Sequence, residues 1–293
     1  MDIESKKFLG QPKNFISIFN ALLFDGQPVL KPEYLKDENS ELVMNVSSKH
    51  VDIIKRYEDG TYLDLFVIES QSYVDQCMVA RVMEYESVAR MRYIRQNFKK
   101  HVPMHTRLPM ILTVVLYVGE SKWNAAKRLS ELEIIHPGFE DMFNEFKLNL
   151  IELNTNHKYN TGEKATQDFF DLLRMIYRKQ ILKEDLDREF NRDALYFAYV
   201  VTKNKELLNI YQESEKGDVK VCRALDEMFE ESTNKGIQMG IKQGIEQGVE
   251  RGVKNTQIKI AIKMLVRNNQ TLEEISEIVG LDLDVLRELK KSI

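Results

Sequence analysis

The sequence contains few of the residues that build cross-linked or membrane-spanning proteins. Only two of its 293 residues are cysteine, Cys77 and Cys222, and they lack the close spacing of a zinc site. No apolar run approaches the roughly 20 residues that a membrane-spanning helix needs, and residues 1–10 have no apolar signal core. We therefore expect a cytoplasmic protein whose cysteines are free thiols.

An excess of basic charge is also absent, since the formal net charge is -4. Any surface that binds nucleic acid must therefore be local. Proline and glycine are scarce, with 6 and 13 residues, which excludes collagen-like and low-complexity proteins. The remaining composition, 43% hydrophobic and 30% charged, is typical of a globular α/β protein, and the length allows a domain of about 150 residues with additions.

The hydrophobic pattern of the first 70 residues changes from helical to strand periodicity. Apolar residues at helical spacing predict an amphipathic helix over residues 13–24. Segments 41–46, 50–57 and 61–70 are rich in Val, Ile, Leu and Tyr, and they predict two or three antiparallel strands. Asp59-Gly60 is a strong turn signal between the last two, so we expect a hairpin there.

The next segments continue an α/β order. Residues 74–98 have helical periodicity with arginines on the polar side, and residues 108–119 form a near-continuous apolar strand. A further strand is predicted over 147–153. From 162 to 231 almost everything is predicted to be helical, including helices over 168–182 and 185–208. We expect four segments: a core over 1–160, a helical subdomain over 161–232, a glycine-repeat helix or linker over 233–255, and a small helical hairpin over 256–293.

Five glycines recur every four residues between 236 and 253, each followed by Ile or Val. We call this segment the glycine ladder. A period of four favours right-handed winding with a partner, and each interior glycine costs a helix about 1 kcal/mol relative to alanine. The ladder therefore indicates either a helix that forms a homodimer or a partly helical linker.

The segment after the ladder resembles a helix-turn-helix. Thr271 and Glu274 have the spacing of a capping box, and Gly280 marks the end of that helix. Asp282 and Asp284 would face phosphates with the wrong charge. An interaction hairpin is therefore favoured over a DNA reader.

The hairpin around Asp59-Gly60 carries the candidate chemistry. With a two-residue turn, Glu58 pairs with Thr61 and Asp52 lies opposite Val67. The period of two then places Asp52, Val67, Glu69 and Gln71 on one face of the sheet. Asp52 and Glu69 become diagonal neighbours about 7–8 Å apart, close enough for both carboxylates to bind one hard cation.

These residues also carry a family resemblance. The stretches FNALLFDGQPVLKPEYL, VDIIKRYEDG, FVIESQSYVDQCMVARVMEYE and LPMILTVVLYVGESKW, within residues 8–132, resemble the Rpn family of recombination-promoting nucleases, also called PD-(D/E)XK nuclease family transposases. The resemblance implies a restriction-endonuclease-like α/β core with a mixed central sheet flanked by helices. It also implies Mg²⁺-dependent cleavage of DNA, with Mn²⁺ as a plausible substitute.

The resemblance assigns a role to each residue of the motif. Asp52 is the family's aspartate, Glu69 is the acid of E-x-K, and Gln71 stands where the lysine would be. We expect Mg²⁺ to be held by Asp52, Glu69 and the Ser70 carbonyl, with Gln71 positioning the attacking water. The first helix offers no acid and only Asn14 and Asn20 as polar groups, so a second metal site is in doubt.

A local basic patch over residues 76–107 supplies a candidate DNA surface, with seven basic residues against two acidic ones. Its nucleic-acid-binding candidates are Arg81, Arg90, Arg92, Arg95, Lys99 and Lys100. Two other hypotheses remain beside a DNA endonuclease: a weakly catalytic, transposon-derived DNA-binding or regulatory protein, and an oligomerisation protein built around the glycine ladder.

Overall fold

A computed structural model describes residues 3–38, 53–60, 63–181, 185–214 and 217–293. The chain divides into two compact units, Met1–Glu227 and Met228–Ile293. The first unit therefore contains both the core and the helical subdomain that the sequence separates at residue 160. None of the described helices is long and apolar enough to cross a membrane.

Two helices begin the first unit: α1 (Ile3–Gly10) and α2 (Pro12–Phe24). The helix predicted over 13–24 is confirmed as α2, while α1 is not predicted from the sequence. Pro12 suits the first position of α2, because its missing N–H would have no partner there. The helix ends at Asp25 in the left-handed conformation, followed by Gly26 at φ +78°.

A five-stranded sheet forms the centre of the unit, with its strands in the order β1 (Leu35–Asp37), β2 (Ile53–Glu58), β3 (Leu63–Gln71), β4 (Met110–Tyr117) and β5 (Asn149–Glu152). Helix α3 (Met78–Asn97) lies between β3 and β4 in the chain. β1 to β3 form an antiparallel meander, β4 is parallel to β3 through the crossover helix α3, and β5 is parallel to β4. The predicted helix over 74–98 and the predicted strands over 108–119 and 147–153 are confirmed, whereas segment 41–46 lies outside the described residues.

The register of the β2–β3 hairpin differs from the predicted one by two residues. Glu58 pairs with Leu63, and Val67 pairs with Ile54, so the pairings of Glu58 with Thr61 and of Val67 with Asp52 are wrong. A two-residue type I′ turn needs positive φ at both central residues. Gly60 has φ +89°, but Asp59 has no positive φ, and the connection is longer. A shift of two residues does not change which β3 side chains share a face.

The two faces of β3 pack against different helices. Phe66 stacks on Phe19 of α2, with ring centroids 4.7 Å apart. Leu65 and Val67 point to the other face, where they form a buried cluster with Tyr85 of α3 and with residues of β2 and β4. Since side chains alternate along a strand, Glu69 and Gln71 share the α3 face with Val67.

The helical part of the first unit is less continuous than predicted. Its helices are α4 (Lys164–Arg178), α5 (Arg192–Thr202) and α6 (Lys205–Glu213), and a short hairpin pairs β6 (Glu189–Phe190) with β7 (Val219–Lys220). The single helix predicted over 185–208 is therefore wrong. The Asn191 side chain accepts from the N–H groups of Asp193 and Ala194, and the Asn204 side chain accepts from the Glu206 N–H. Both caps start new helices.

Two buried carboxylates connect α4 to the segment before α5. Asp168 accepts hydrogen bonds from Lys164 Nζ at 2.7 Å, Arg188 Nη2 at 2.6 Å and the Asn191 N–H at 2.7 Å. Asp171 accepts from Arg188 Nη1 at 2.8 Å. Arg188 therefore bridges both carboxylates with the two arms of its guanidinium group.

The last three helices are α7 (Cys222–Arg267), α8 (Leu272–Val279) and α9 (Leu283–Lys291). The glycine ladder lies within the 46-residue α7 and is therefore helical, while its role as an association helix or as a linker stays a prediction. The predicted capping box between Thr271 and Glu274 is confirmed, as is the left-handed cap at Gly280. In the second unit, the end of α7 packs with α8 and α9 around a small apolar core that includes Ala261, Ile275 and Leu286.

Candidate active site on the central sheet

Glu69 and Gln71 lie near the end of β3, the middle strand of the sheet. Their Cα partners on β4 are Val115 and Tyr117, which belong to a buried apolar cluster. Glu69 and Gln71 are each only 4% exposed. Burying a carboxylate and an amide among apolar side chains costs free energy unless polar partners compensate for the lost water. The placement of these two residues is therefore a candidate functional feature.

Arg81 of α3 is the cationic partner of Glu69. Its Nη2 lies 3.2 Å from Glu69 Oε1, and its Nη1 binds Asp75 Oδ2 in the loop before α3. The same guanidinium donates to the Tyr85 hydroxyl, from Nε at 3.1 Å and from Nη2 at 2.7 Å. The Arg81 side chain is only 16% exposed. The formal charge of Glu69, Asp75 and Arg81 together is two negatives and one positive, which leaves -1.

The pKa values in this network follow its charges and burial. Burial acts to lower the pKa of Arg81, but bonds to Asp75 and Tyr85 and the charge of Glu69 outweigh it and raise the pKa above its ordinary value. Burial raises the pKa of Tyr85, although its bond with Arg81 opposes this. Arg81 is therefore held as a permanent cation, and Tyr85 as a neutral hydroxyl.

Gln71 is tied to the sheet by its backbone, since its carbonyl accepts from the Val118 N–H at 2.9 Å. Its side-chain Nε2 is buried and has no acceptor among the described residues. A buried donor left in this state costs about 1–3 kcal/mol, and a bound water or ligand that accepts from it would remove this cost. The amide is therefore available to donate to a water or a phosphate oxygen.

The donors on this face fit a hard cation by their chemistry. Carboxylate oxygens are the ligands that Mg²⁺ prefers, and the net charge of -1 attracts a cation. Within the described ranges, no group of three His, Cys, Asp or Glu side chains could hold a metal ion by itself.

Asp52 lies outside the described residues, directly before Ile53, whose Cα partner is Ile68, the neighbour of Glu69. Ser70 lies between Glu69 and Gln71 in β3 and is half-buried.

A model of the family described as "Putative transposase, YhgA-like" matches residues 30–207. The chain belongs to this family. The match covers well over half of the sequence and contains the five strands of the central sheet, and it confirms the transposase resemblance seen in the sequence. No curated protein and no solved structure matches the chain.

In this YhgA-like chain, Arg81 differs from the other basic residues considered for DNA. Arg90 is 40% exposed and pairs with Glu86 at 2.9 Å, while Arg95, Lys99 and Lys100 are exposed. Arg92 is partly exposed. The last turns of α3 and the residues after it therefore carry the accessible part of the basic patch, and Arg81 belongs to the buried network.

The asparagines of α2 have structural partners on the other side of the sheet. Asn20 exchanges hydrogen bonds with the backbone of Leu30, at 2.9 and 3.0 Å, and Asn14 donates to the Phe8 carbonyl at 3.0 Å. They fix the loop after α2 and the end of α1. Both are therefore engaged away from the face that carries Glu69.

Sequence reasoning misses that Arg81 contacts Glu69 and is itself bound to Asp75 and Tyr85. One signal was present: Met78, Val82, Tyr85 and Ala89 form the buried stripe of α3, and Arg81 is three residues after Met78 and four before Tyr85. An arginine on a buried stripe is expected to have an acidic partner. The sequence pattern does not tell which carboxylate that partner is.

Proposed function

We propose that this chain is a Mg²⁺-dependent DNA endonuclease with a PD-(D/E)XK-like core. The observation that carries the proposal is the burial of Glu69 and Gln71 on one face of the central strand, beside a charge network with net charge -1. The order of α2, three antiparallel strands, α3 and a parallel β4 supports it, because the family resemblance implies helix, three strands, helix, strand.

The residues on this face have separate roles in the proposed reaction. Glu69 and Asp52, with the Ser70 carbonyl, would hold the Mg²⁺. When bound, the cation supplies an activated water and neutralises charge on the phosphodiester. Gln71 donates from its buried amide nitrogen and orients the attacking water, a role that its lack of a described acceptor favours. A neutral amide cannot lower the pKa of that water as a lysine ammonium does, so hydrolysis is slow.

The proposed substrate surface lies on the accessible basic patch. Arg90, Arg92, Arg95, Lys99 and Lys100 would contact the phosphate backbone, which positions DNA without reading its sequence. The family's description suggests transposition as the biological setting. We propose in addition a role in recombination, which the resemblance in the sequence implies, and a location in the cytoplasm. The free thiols of Cys77 and Cys222 are consistent with that reducing compartment.

A second candidate function is DNA binding without cleavage, in a regulatory protein derived from a transposase. The observation that favours it is the Arg81–Glu69 ion pair, which already neutralises the carboxylate that a metal would need. Salt-sensitive DNA binding with no cleavage in Mg²⁺ or Mn²⁺ would indicate the regulatory DNA-binding function and not an endonuclease.

The test of the endonuclease proposal is nicking of supercoiled plasmid by purified protein. We expect cleavage in Mg²⁺ or Mn²⁺, none in EDTA, and loss of cleavage in Asp52→Ala. Glu58→Ala is the control, because Glu58 is an accessible carboxylate in β2 that pairs with Lys36. Equal cleavage by wild type and Asp52→Ala would remove Asp52 from the site.

We also propose that the glycine ladder joins two copies of the chain. Its aliphatic residues are 53–61% exposed, and a Cβ added to any ladder glycine would meet nothing within 4 Å. Five interior glycines cost the helix about 5 kcal/mol relative to alanine, which close packing of a partner would offset. In an antiparallel pair centred on Gly244, ladder glycines face each other, and Lys242 of each copy lies opposite Glu246 of the other. These charges favour a second copy as the partner.

Replacing Ile241 and Ile245 by glutamate is therefore expected to convert a dimer into a monomer. Size-exclusion chromatography with light scattering measures this as a halved mass. Gln243→Glu adds a negative charge to the same helix outside the aliphatic line, and it should leave the dimer intact. A wild-type protein that is monomeric at all concentrations would contradict the proposal.

A further inference from the structure

We propose that Arg81 is a built-in competitor of the divalent cation at Glu69, so that the Arg81–Glu69 ion pair sets the metal concentration at which the site fills. The inference rests on the proposed metal-dependent function and adds a control element to it. Arg81 is then a positioning residue that acts through Glu69, without touching DNA.

The Arg81 guanidinium and a bound cation would both contact the Glu69 carboxylate. Arg81 Nη2 lies 3.2 Å from Glu69 Oε1. A cation bound by Glu69 would lie within a few ångströms of this positive group, where the local dielectric constant is low and repulsion is strong. We therefore expect the Arg81–Glu69 contact to weaken and lengthen when a cation binds.

Arg81 has other partners to which it can remain attached when this contact lengthens. Its Nη1 binds Asp75, and its Nε and Nη2 donate to the Tyr85 hydroxyl. Asp75 is in the loop before α3, and Tyr85 is one turn after Arg81 in the helix, so neither contact uses the Glu69 carboxylate. The guanidinium can thus give up Glu69 while it keeps a carboxylate partner.

Counting charges gives the direction of each substitution. The network of Glu69, Asp75 and Arg81 has a formal charge of -1. Arg81→Met removes the positive charge and leaves -2, so cation binding should tighten. Asp75→Asn removes a negative charge and leaves 0, and it also removes the alternative partner of Arg81, so cation binding should weaken. A purely structural role of the network predicts weaker binding in both variants.

The experiment is titration of the full chain with Mn²⁺ alone, with the free ion measured by electron paramagnetic resonance. We expect Arg81→Met to lower the Kd by about tenfold or more and Asp75→Asn to raise it by a similar factor, about 1.4 kcal/mol in each direction. Arg174→Met is the matched control, because Arg174 of α4 is also a largely buried arginine, 13% exposed, that pairs with a buried carboxylate, Asp171, at 2.8 Å. Its Kd should equal that of wild type.

Unchanged or weaker Mn²⁺ binding by folded Arg81→Met would overturn the inference. Fluorescence of Trp123, the single tryptophan, reports whether the first unit is folded. Should Arg81→Met not fold, Arg81→Gln removes the same positive charge with a side chain that can still form hydrogen bonds, and unchanged or weaker binding by folded Arg81→Gln overturns the inference. Mn²⁺ binding that is the same in wild type and Glu69→Gln would instead reject the proposed metal site itself. Binding that depends on Glu69 but not on Arg81 rejects only the competition.

Discussion

Glu69→Gln is expected to reduce phosphodiester cleavage about 10³-fold while leaving the fold intact. The amide has nearly the shape of the carboxylate, but it is a neutral and much weaker metal ligand. Charge stabilisation by a bound metal is worth several kcal/mol, and about 1.4 kcal/mol corresponds to a factor of ten in rate. Single-turnover cleavage of a labelled duplex in saturating Mg²⁺ measures the effect.

Glu86→Gln is the matched control for that loss. Glu86 is 5% exposed, lies on α3 and pairs with Arg90, so it shares the burial and the arginine partner of Glu69. Its other oxygen accepts from the Thr113 N–H at 3.2 Å, which is a structural contact with β4. We expect it to cleave within about tenfold of the wild-type rate. Similar losses in both variants would indicate that the effect reflects folding of the sheet, not chemistry at Glu69.

Asp168→Ala is expected to destabilise the first unit by about 3–5 kcal/mol. Asp168 is 1% exposed and accepts from Lys164, Arg188 and the Asn191 backbone, so its removal leaves a half-buried guanidinium with fewer partners. Removing one partner of a buried ion pair typically lowers the free energy of unfolding by about 3–5 kcal/mol. Because Arg188 keeps Asp171, we expect the lower end of the range. Urea unfolding followed by Trp123 fluorescence measures the free energy of unfolding of this unit.

Asp187→Ala gives the matched comparison. Asp187 pairs with Arg223 at 2.8 Å in the same unit, but both side chains are more than 70% exposed. Solvent-exposed pairs contribute about 0–1 kcal/mol. If Asp168→Ala changed the free energy of unfolding no more than Asp187→Ala, the network around Arg188 would not hold α4 to the segment before α5.

The sequence predicts which β3 side chains share the face of the candidate site, but it does not predict the pairing register of β2 and β3. Glu69, Gln71 and Val67 share a face in any antiparallel pairing, because the alternation depends on β3 alone. The register depends on the backbone of the turn, and Asp59-Gly60 supplies one positive φ where a two-residue type I′ turn needs two. The position of Asp52 relative to Glu69 stays a prediction.

Long-range partners and short elements are less accessible to sequence reasoning. Arg81 is predicted as a DNA contact because it lies in a basic segment, yet its guanidinium binds Glu69 and Asp75. Its position on the buried stripe of α3 separates it from the exposed arginines, but only the packing of α3 on β3 shows which carboxylate it meets. β1 follows a short 3₁₀ helix, Pro32–Tyr34, and has only three residues, which are too few for a periodic signal.

The central claim is that a divalent cation binds at Glu69 on the α3 face of β3 and supports hydrolysis of DNA. Its most direct test is anomalous diffraction from crystals of the protein soaked in Mn²⁺, combined with a nicking assay of the same preparation. The account predicts a manganese peak within coordination distance of a Glu69 carboxylate oxygen, with Arg81 turned toward Asp75, in a preparation that nicks plasmid. Active protein whose manganese binds elsewhere, with the Arg81–Glu69 pair intact, would contradict it.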